Sequence, residues 1–453
     1  MVTIAEPLNH IADLWGKPDY LTDGVYRLMR YVHRVNYEDK ILLHNMVTGH
    51  LMLLALNERI LIDSLPATYS ECMQPLIDNH FIVPVQFDEH KKVVSMRTVL
   101  RKMDGLRHKP IKSYTILTTT ACNARCYYCF EKGIETVTLS ERTAHDIVDY
   151  IDTHREGNSV FITWFGGEPT VAADRIDQIC TELRDRNIEF RSDIVTNGYL
   201  FDEGMVHRAK NLWNLRVAQI SFDGTEERYN KTKAYVSAKG SPYQKVLNNI
   251  SLLLDNRIHV RLRMNFDKNN YLEFKELIKE SVARFQHNRF LQVIAYPIIG
   301  DFLSENDIKE HGDDTWFVSK IVELNDLARD SGLKRKTSTL PSLNFRGCEA
   351  DSDYSIVINA DGKIRKCLEC FQNNQSFGTI YDGITNLELA ESWKILADYK
   401  KCRICELFPK CMKMENCPGG ERCLFVAERL KEVDTAVIGF YNMWAVKQAN
   451  ERR

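Results

Sequence analysis

The chain has 453 residues, of which 44% are hydrophobic and 27% charged, and a formal net charge of −2; this fits a soluble globular protein of two to four domains. The near-neutral balance argues against a nucleic-acid partner gripped through its phosphates, and no segment stays free of charge long enough to span a bilayer, so no membrane is expected. Thirteen cysteines, with no basic-then-apolar leader at residues 1–10, point to a reducing compartment, the cytoplasm, and to thiols used for metal rather than disulfides.

Residues 1–20 carry no pattern. Residues 26–36 and 40–47 read as a hairpin, Thr48-Gly49 as a turn and 50–54 as a third strand. Residues 57–65 and 68–80 have helical spacing, and Thr68-Tyr69-Ser70-Glu71 has the form of a capping box. Residues 81–85 and 93–96 would close a small wing, and basic, polar 97–112 reads as a linker. The expected unit, residues 1–105, is a compact α+β domain of winged-helix type. Such a sheet, if it exposes an edge, can take an extended peptide as an added strand, with 68–80 as the groove's other wall.

From about residue 113 the pattern alternates strand and helix. Strands are expected at 114–120, 159–165, 192–196, 216–222, 259–266 and 290–297, and helices at 140–154, 172–185, 203–211, 243–255, 271–285 and 313–329. Six such repeats imply a parallel sheet with right-handed crossovers, a partial (β/α)6 barrel over residues 106–332. Ligands of parallel α/β folds lie at the C-terminal ends of the strands. Four motifs fall there: Cys122, Cys126 and Cys129 after the first strand, Gly166-Gly167-Glu168-Pro169 after the second, Thr196-Asn197-Gly198 at the third and Ser221-Phe222-Asp223-Gly224 at the fourth. Three thiolates on one loop can hold three corners of a [4Fe–4S] cubane and leave the fourth iron open; a zinc knuckle is the rival use of such cysteines. The two glycines permit close backbone approach, and Ser221 and Asp223 end a strand at the barrel mouth.

The C-x-x-x-C-x-x-C triplet, with Tyr128 before its third cysteine, resembles the signature of the radical S-adenosylmethionine (SAM) enzymes. The resemblance implies that Gly166, Gly167, Glu168 and Pro169 hold the SAM amino group, that Ser221 and Asp223 contact its ribose or carboxylate, and that Arg263 pairs with its carboxylate. The bound cofactor would supply a 5′-deoxyadenosyl radical, with an electron donor such as a flavodoxin or ferredoxin.

A second cysteine field follows. Cys348 and Cys367 flank a hairpin turning at Asp361-Gly362, and Cys402, Cys405, Cys411, Cys417 and Cys423 come later. This order resembles the SPASM domain, expected over 333–430 ahead of a closing helix, 431–453, and implies two auxiliary [4Fe–4S] clusters, three clusters in all. By resemblance Cys348, Cys367 and Cys417 hold the inner cluster and Cys402, Cys405, Cys411 and Cys423 the outer one. Some spacings depart from the family's. Ser342 and Asn344 stand where a further upstream ligand occurs in some members, so either the inner cluster keeps an open iron or Cys370 supplies the fourth thiolate. The exchange of Cys417 and Cys423 between clusters is equally open. Cys72 and Cys180 read as core thiols.

The resemblance as a whole is to radical SAM/SPASM peptide maturases with a leader-recognition domain. It implies a ribosomally made precursor peptide as substrate and a thioether cross-link, of the sactipeptide or ranthipeptide kind, as product. Other expectations are carbon–carbon or ether cross-links, epimerisation, or formylglycine formation of the sulfatase-maturase type. Leu368, where those maturases carry an aspartate base, weighs against the last. A non-catalytic peptide-binding adaptor is the reading from another class.

Overall fold

The computed structural model describes residues 1–6, 8–16, 24–105, 111–155, 157–285, 288–298, 313–334, 340–344, 348–370 and 375–451. In the N-terminal part the strands are β1 (Val2–Ala5), β2 (Val25–Leu28), β3 (Val32–Tyr37), β4 (Lys40–Asn45), β5 (Leu51–Leu54), β6 (Ala67–Thr68) and β7 (Ile82–Pro84), with helices α1 (Asn9–Trp15), α2 (Arg59–Asp63), α3 (Gln74–Asp78) and α4 (Glu89–Gly105). They make two antiparallel sheets, β1-β5-β4-β3 and β6-β2-β7.

Residues 26–36 are not one strand: the chain turns at 29–32, where the Val32 amide donates to the Met29 carbonyl (3.0 Å), and β2 and β3 enter different sheets. The capping box at Thr68 does not form, because Thr68 is taken into β6, paired with Val25, and Ser70 precedes the next turn with no side-chain cap. Residues 93–96 lie inside helix α4 rather than a strand. Their buried positions, Val93, Met96 and Arg97, repeat at three and four, which is helical and not alternating spacing. The expected linker is therefore helical through Gly105, and 106–110 lie outside the described residues. The edge of β5 is not free either, since the chain's own β1 pairs along it, Val2 opposite Leu53 and Thr3 opposite Met52.

The barrel strands appear as expected. They are β8 (Ser113–Thr119), β9 (Ser159–Gly166), β10 (Glu189–Thr196), β11 (Leu215–Phe222), β12 (His259–Phe266) and β13 (Leu291–Pro297), hydrogen-bonded in sequence order and all parallel. The crossover helices are α5 (Glu141–His154), α6 (Ala173–Asp185), α7 (Glu203–Asn211), α8 (Glu226–Lys233), α9 (Pro242–Asp255), α10 (Phe274–Phe285) and α11 (Asp314–Asp330). Side chains at helix starts satisfy otherwise orphaned amides: Ser140 accepts from Thr143 N and Asp202 from Met205 N. Each amphipathic helix buries one stripe, such as Ile147, Val148 and Ile151 of α5 against Ile176, Ile179 and Leu183 of α6.

Two features went unforeseen. Helix α8 has too few apolar residues to announce itself, yet it buries Tyr229 and Lys233. The cysteine-field hairpin, β14 (Ser355–Ile358) and β15 (Lys363–Arg365), does turn at Asp361-Gly362, but it also extends the barrel sheet, with β14 parallel to β8. The N-terminal part and the cysteine field share one hydrophobic core, in which Leu343, Leu407, Phe408, Met412 and Val437 pack with Tyr31, Leu42, Leu51 and Phe81. Among the described residues no helix is long and apolar enough to cross a membrane.

Candidate active site

The four expected motifs meet at the C-terminal edge of the parallel sheet. The loop after β8 carries Cys122, Cys126 and Cys129, and neighbouring backbone holds it in place: Arg125 N donates to Lys233 O (2.8 Å), and Val236 N to Asn123 O (2.9 Å). Asn197, at the end of β10, donates from Nδ2 to Asn123 Oδ1 (2.7 Å). All three thiols are partly buried. Burial pushes the Cys122 thiol up to about 12 and also raises Cys126 and Cys129, and the three lie close enough to influence one another. A metal held here must displace those protons.

The glycines serve the chain itself. Gly166 has φ 137°, and a Cβ there would lie 2.1 Å from Thr119 O; one on Gly167 would lie 2.6 Å from Ala121 O. The amides of Gly167 and Glu168 bind the end of β8 and the loop that follows it, with Gly167 N donating to Thr119 O and Glu168 N to Ala121 O, both 2.9 Å. Close approach is therefore needed first to seat the cysteine loop on β9. Glu168 is fully buried, and its carboxylate accepts from Thr196 Oγ1 (2.7 Å), Asn197 N (2.7 Å), Thr170 N (3.1 Å) and the Thr170 hydroxyl. Three of these bonds fall on Oε1 and one on Oε2, so Oε2 keeps capacity for a further donor. Pro169 starts the 3-10 turn that follows.

Tyr128 and Ser221, both half-buried, and the buried Asp223 form a second group, around a residue the sequence did not single out. Lys233 Nζ donates to Ser221 Oγ (2.7 Å) and to Tyr128 OH (3.2 Å), and stands 3.0 Å from Asp223 Oδ2. Asp223 Oδ1 accepts from the Tyr128 hydroxyl and from Asn265 Nδ2 (3.1 Å). Burial alone would discharge Lys233, but Asp223, Tyr128 and Cys126 outweigh it and hold the ammonium charged, well above its ordinary value. Nothing in the sequence separates Lys233 from its neighbour Lys231; only the docking of α8 turns it inward. Arg263 does not join this group, since its guanidinium lies 3.6 Å from the centre of the Tyr296 ring on the next strand. Tyr296 in turn feels Glu369, Arg429 and Cys417, so this pair sits between the barrel mouth and the cysteine field. Glu131, two residues after Cys129, buries both carboxyl oxygens without a hydrogen-bond partner, and burial pushes it up to about 7.

The later cysteines fall into two sets. Cys402, Cys405, Cys411 and Cys423 interact electrostatically with one another. Cys348, Cys367, Cys370 and Cys417 form the other, linked by the packing of Cys367 against Cys370 and by the electrostatic influence of Cys367 and Cys348 on Cys417. Cys180 is buried in the barrel core, whereas Cys72 is exposed, not a core thiol. Among the described residues no three His, Cys, Asp or Glu side chains converge as they would on a single metal ion. A cubane makes a different demand, one thiolate on each of four separate irons, and the three cysteine groups suit it in number and chemistry.

Residues 116–280 match the family model described as the Radical SAM superfamily. That segment is a radical SAM domain. Among proteins similar to the chain, the radical SAM cyclopropyl synthase TigE of Paramaledivibacter caminithermalis is 23% identical over 269 residues, 54% of this chain and 52% of that protein. The chain spans about half the length or less of the curated relatives it matches, 41%, 43% and 52%. Among solved structures, anSMEcpe with bound AdoMet and Kp18Cys peptide superposes with a TM-score of 0.56 at 15% identity, over 74% of this chain and 99% of that one. Streptococcus suis SuiB bound to precursor peptide SuiA gives 0.52 at 13% identity, over 88% and 99%. These likenesses establish the shared fold.

Proposed function

We propose that the protein is a radical SAM peptide maturase that modifies a ribosomally made precursor. The observation that carries this reading is the convergence of Cys122, Cys126 and Cys129 with Glu168 and the Lys233–Asp223 pair at one end of the parallel sheet, with two four-cysteine sets beyond the barrel. Cys122, Cys126 and Cys129 would hold the SAM cluster. The second field, as a SPASM domain, would hold two auxiliary clusters, making three cubanes in all. Bound cluster and SAM together supply hydrogen abstraction by a 5′-deoxyadenosyl radical. The chain's own work is to seat the cysteine loop on Gly166 and Gly167, to offer Glu168 Oε2 to the SAM ammonium and to hold charge at Lys233 and Asp223 away from water.

The product we favour is a thioether between a substrate cysteine sulfur and a carbon, with carbon–carbon or ether cross-links and epimerisation as other outcomes of the same radical. The structural neighbours solved with bound peptides support a peptide substrate. The N-terminal sheets would recognise its leader, in a reducing cytoplasm with a flavodoxin or ferredoxin as electron donor. The test is to incubate the reconstituted, dithionite-reduced protein with SAM and the small peptide encoded beside its gene. A cross-linked peptide formed together with 5′-deoxyadenosine is expected. A thiol converted to formylglycine would establish the sulfatase-maturase reading instead, and failure to cleave SAM would leave only a peptide-binding adaptor.

A further inference from the structure

The inner cysteine set has one member whose use can be argued from the fold. We propose that Cys370 is the fourth thiolate of that set, so that a cubane on Cys348, Cys367, Cys370 and Cys417 carries a protein ligand on every iron. The inference rests on the reading of these cysteines as cluster ligands given above.

Four observations lead to it. The β14–β15 hairpin, with Val357 opposite Arg365, returns the chain so that Cys348 and Cys367 stand at the same end. Cys370 is only 2% exposed and packs with Ala350, two residues after Cys348, and Trp393; Cys367 packs against this group. Cys367 and Cys370, the two ends of a C-x-x-C turn, pack in one small cluster, and each shifts the other's titration. Cys417 in turn interacts with Cys367, Cys348 and Cys370. A buried thiol that only fills space looks different: Cys180 sits among the aliphatic side chains of the barrel core with no second cysteine beside it.

The competing donors are engaged elsewhere. The segment holding Ser342 and Asn344 is tied away, Leu343 N donating to Val47 O (2.9 Å) and Asn344 N to Pro409 O (2.8 Å), with Leu343 buried in the N-terminal core. Cys402, Cys405, Cys411 and Cys423 make up the other set. A closed inner cubane has no iron to offer a substrate thiolate. If the product is a thioether, its sulfur then reaches the carbon without ligation to that cluster, whose role is confined to electron exchange.

The test uses the full-length chain carrying Cys122→Ala, Cys126→Ala and Cys129→Ala, which removes the open-iron site of the radical SAM loop. Reconstituted, this protein should hold about eight iron atoms as two cubanes. Its dithionite-reduced electron paramagnetic resonance spectrum should be unchanged by potassium cyanide, which binds an open iron. Adding Cys370→Ala should make the spectrum respond to cyanide and let ferricyanide convert one cubane to a three-iron form. If that variant loses its inner cluster outright, Cys370→Ser decides: a shifted spectrum, from serine oxygen in place of sulfur, supports ligation, and an unshifted one overturns it. A cyanide response before Cys370 is touched also overturns the inference and leaves the maturase reading standing. Zinc in place of iron would overturn the inference together with the reading of the later cysteines as cluster ligands.

Discussion

Lys233 and Asp223 are each tolerable in the barrel only because of the other. Both are almost wholly buried, 2% and 0% exposed at the side chain, and 3.0 Å apart. Removing one member leaves an uncompensated charge in a poorly solvated site, so Lys233→Met should cost about 3–5 kcal/mol of stability. The double variant Lys233→Met/Asp223→Asn should recover most of that loss; chemical denaturation of the cluster-free protein measures both, and additive losses would show that the pair is not coupled. At the cysteine loop the expected split is different. Cys126→Ala should abolish 5′-deoxyadenosine production under dithionite while the iron bound by the later cysteines persists, because the two fields share no ligand.

At the level of elements, the N-terminal sheets are where peptide recognition is expected, and the structure changes how that is best examined. The edge of β5 is occupied by β1, and a groove of about 550 Å³ beside it is lined by Asn57, Glu58, Ile60, Leu61, Ser64, Cys72 and Pro75. Ile60 is 73% exposed there, with Leu56 nearby in sequence at 61%. Burial of such a side chain by a partner contributes roughly 1.5–3 kcal/mol, so Ile60→Asp should weaken precursor binding about tenfold or more with the thermal midpoint unchanged. Fluorescence anisotropy of the labelled precursor reads this, and equal affinities would remove this groove from recognition. Deleting residues 1–100 is a poorer test. It would strip Leu407, Phe408 and Met412 of their packing partners and disturb the cysteine field together with any binding site.

The whole molecule is joined by polar contacts as well as by that shared core. Arg97 and Arg101 of α4 reach Asp351, beside Cys348, at 3.1 and 2.5 Å. His33 bridges Glu406 and Asp434, the latter at 2.7 Å. Burial lowers the His33 pKa, but its two carboxylate partners prevail and raise it to about 9. A histidine whose folded pKa exceeds the unfolded value near 6.5 stabilises fully below that value and loses the contribution as pH rises through 9. The stability of the cluster-free protein should therefore fall between about pH 6.5 and 9, by on the order of 1–3 kcal/mol given the partly exposed carboxylates. In His33→Gln this decline should be flattened, as urea titrations across that range would reveal. Fully reconstituted protein should carry about twelve iron atoms, four for each of three cubanes; four iron with zinc in the second field would exclude auxiliary clusters.

Much of this was legible in the order of residues alone, where the signal is local. Strand and helix periods repeat over short windows, so all six barrel strands and their main helices were readable, as was the hairpin at Asp361-Gly362. The cysteine spacings were readable for the same reason, since a loop presents its thiols wherever it goes. What distant pieces do to one another was not. Val93 and Met96 read as a strand until their burial against the N-terminal core showed a helical period. Thr68 offered a cap that β-pairing with Val25 claimed first. Lys233 looked like any solvated lysine until α8 turned it into the barrel, and Cys370, whose C-x-x-C with Cys367 was readable, came to lie against Ala350 and the Cys348 turn only through the return of a hairpin that joins the barrel sheet. Burial and charge pairing depend on which surfaces meet, and that is settled by packing across hundreds of residues rather than by the text of any one stretch.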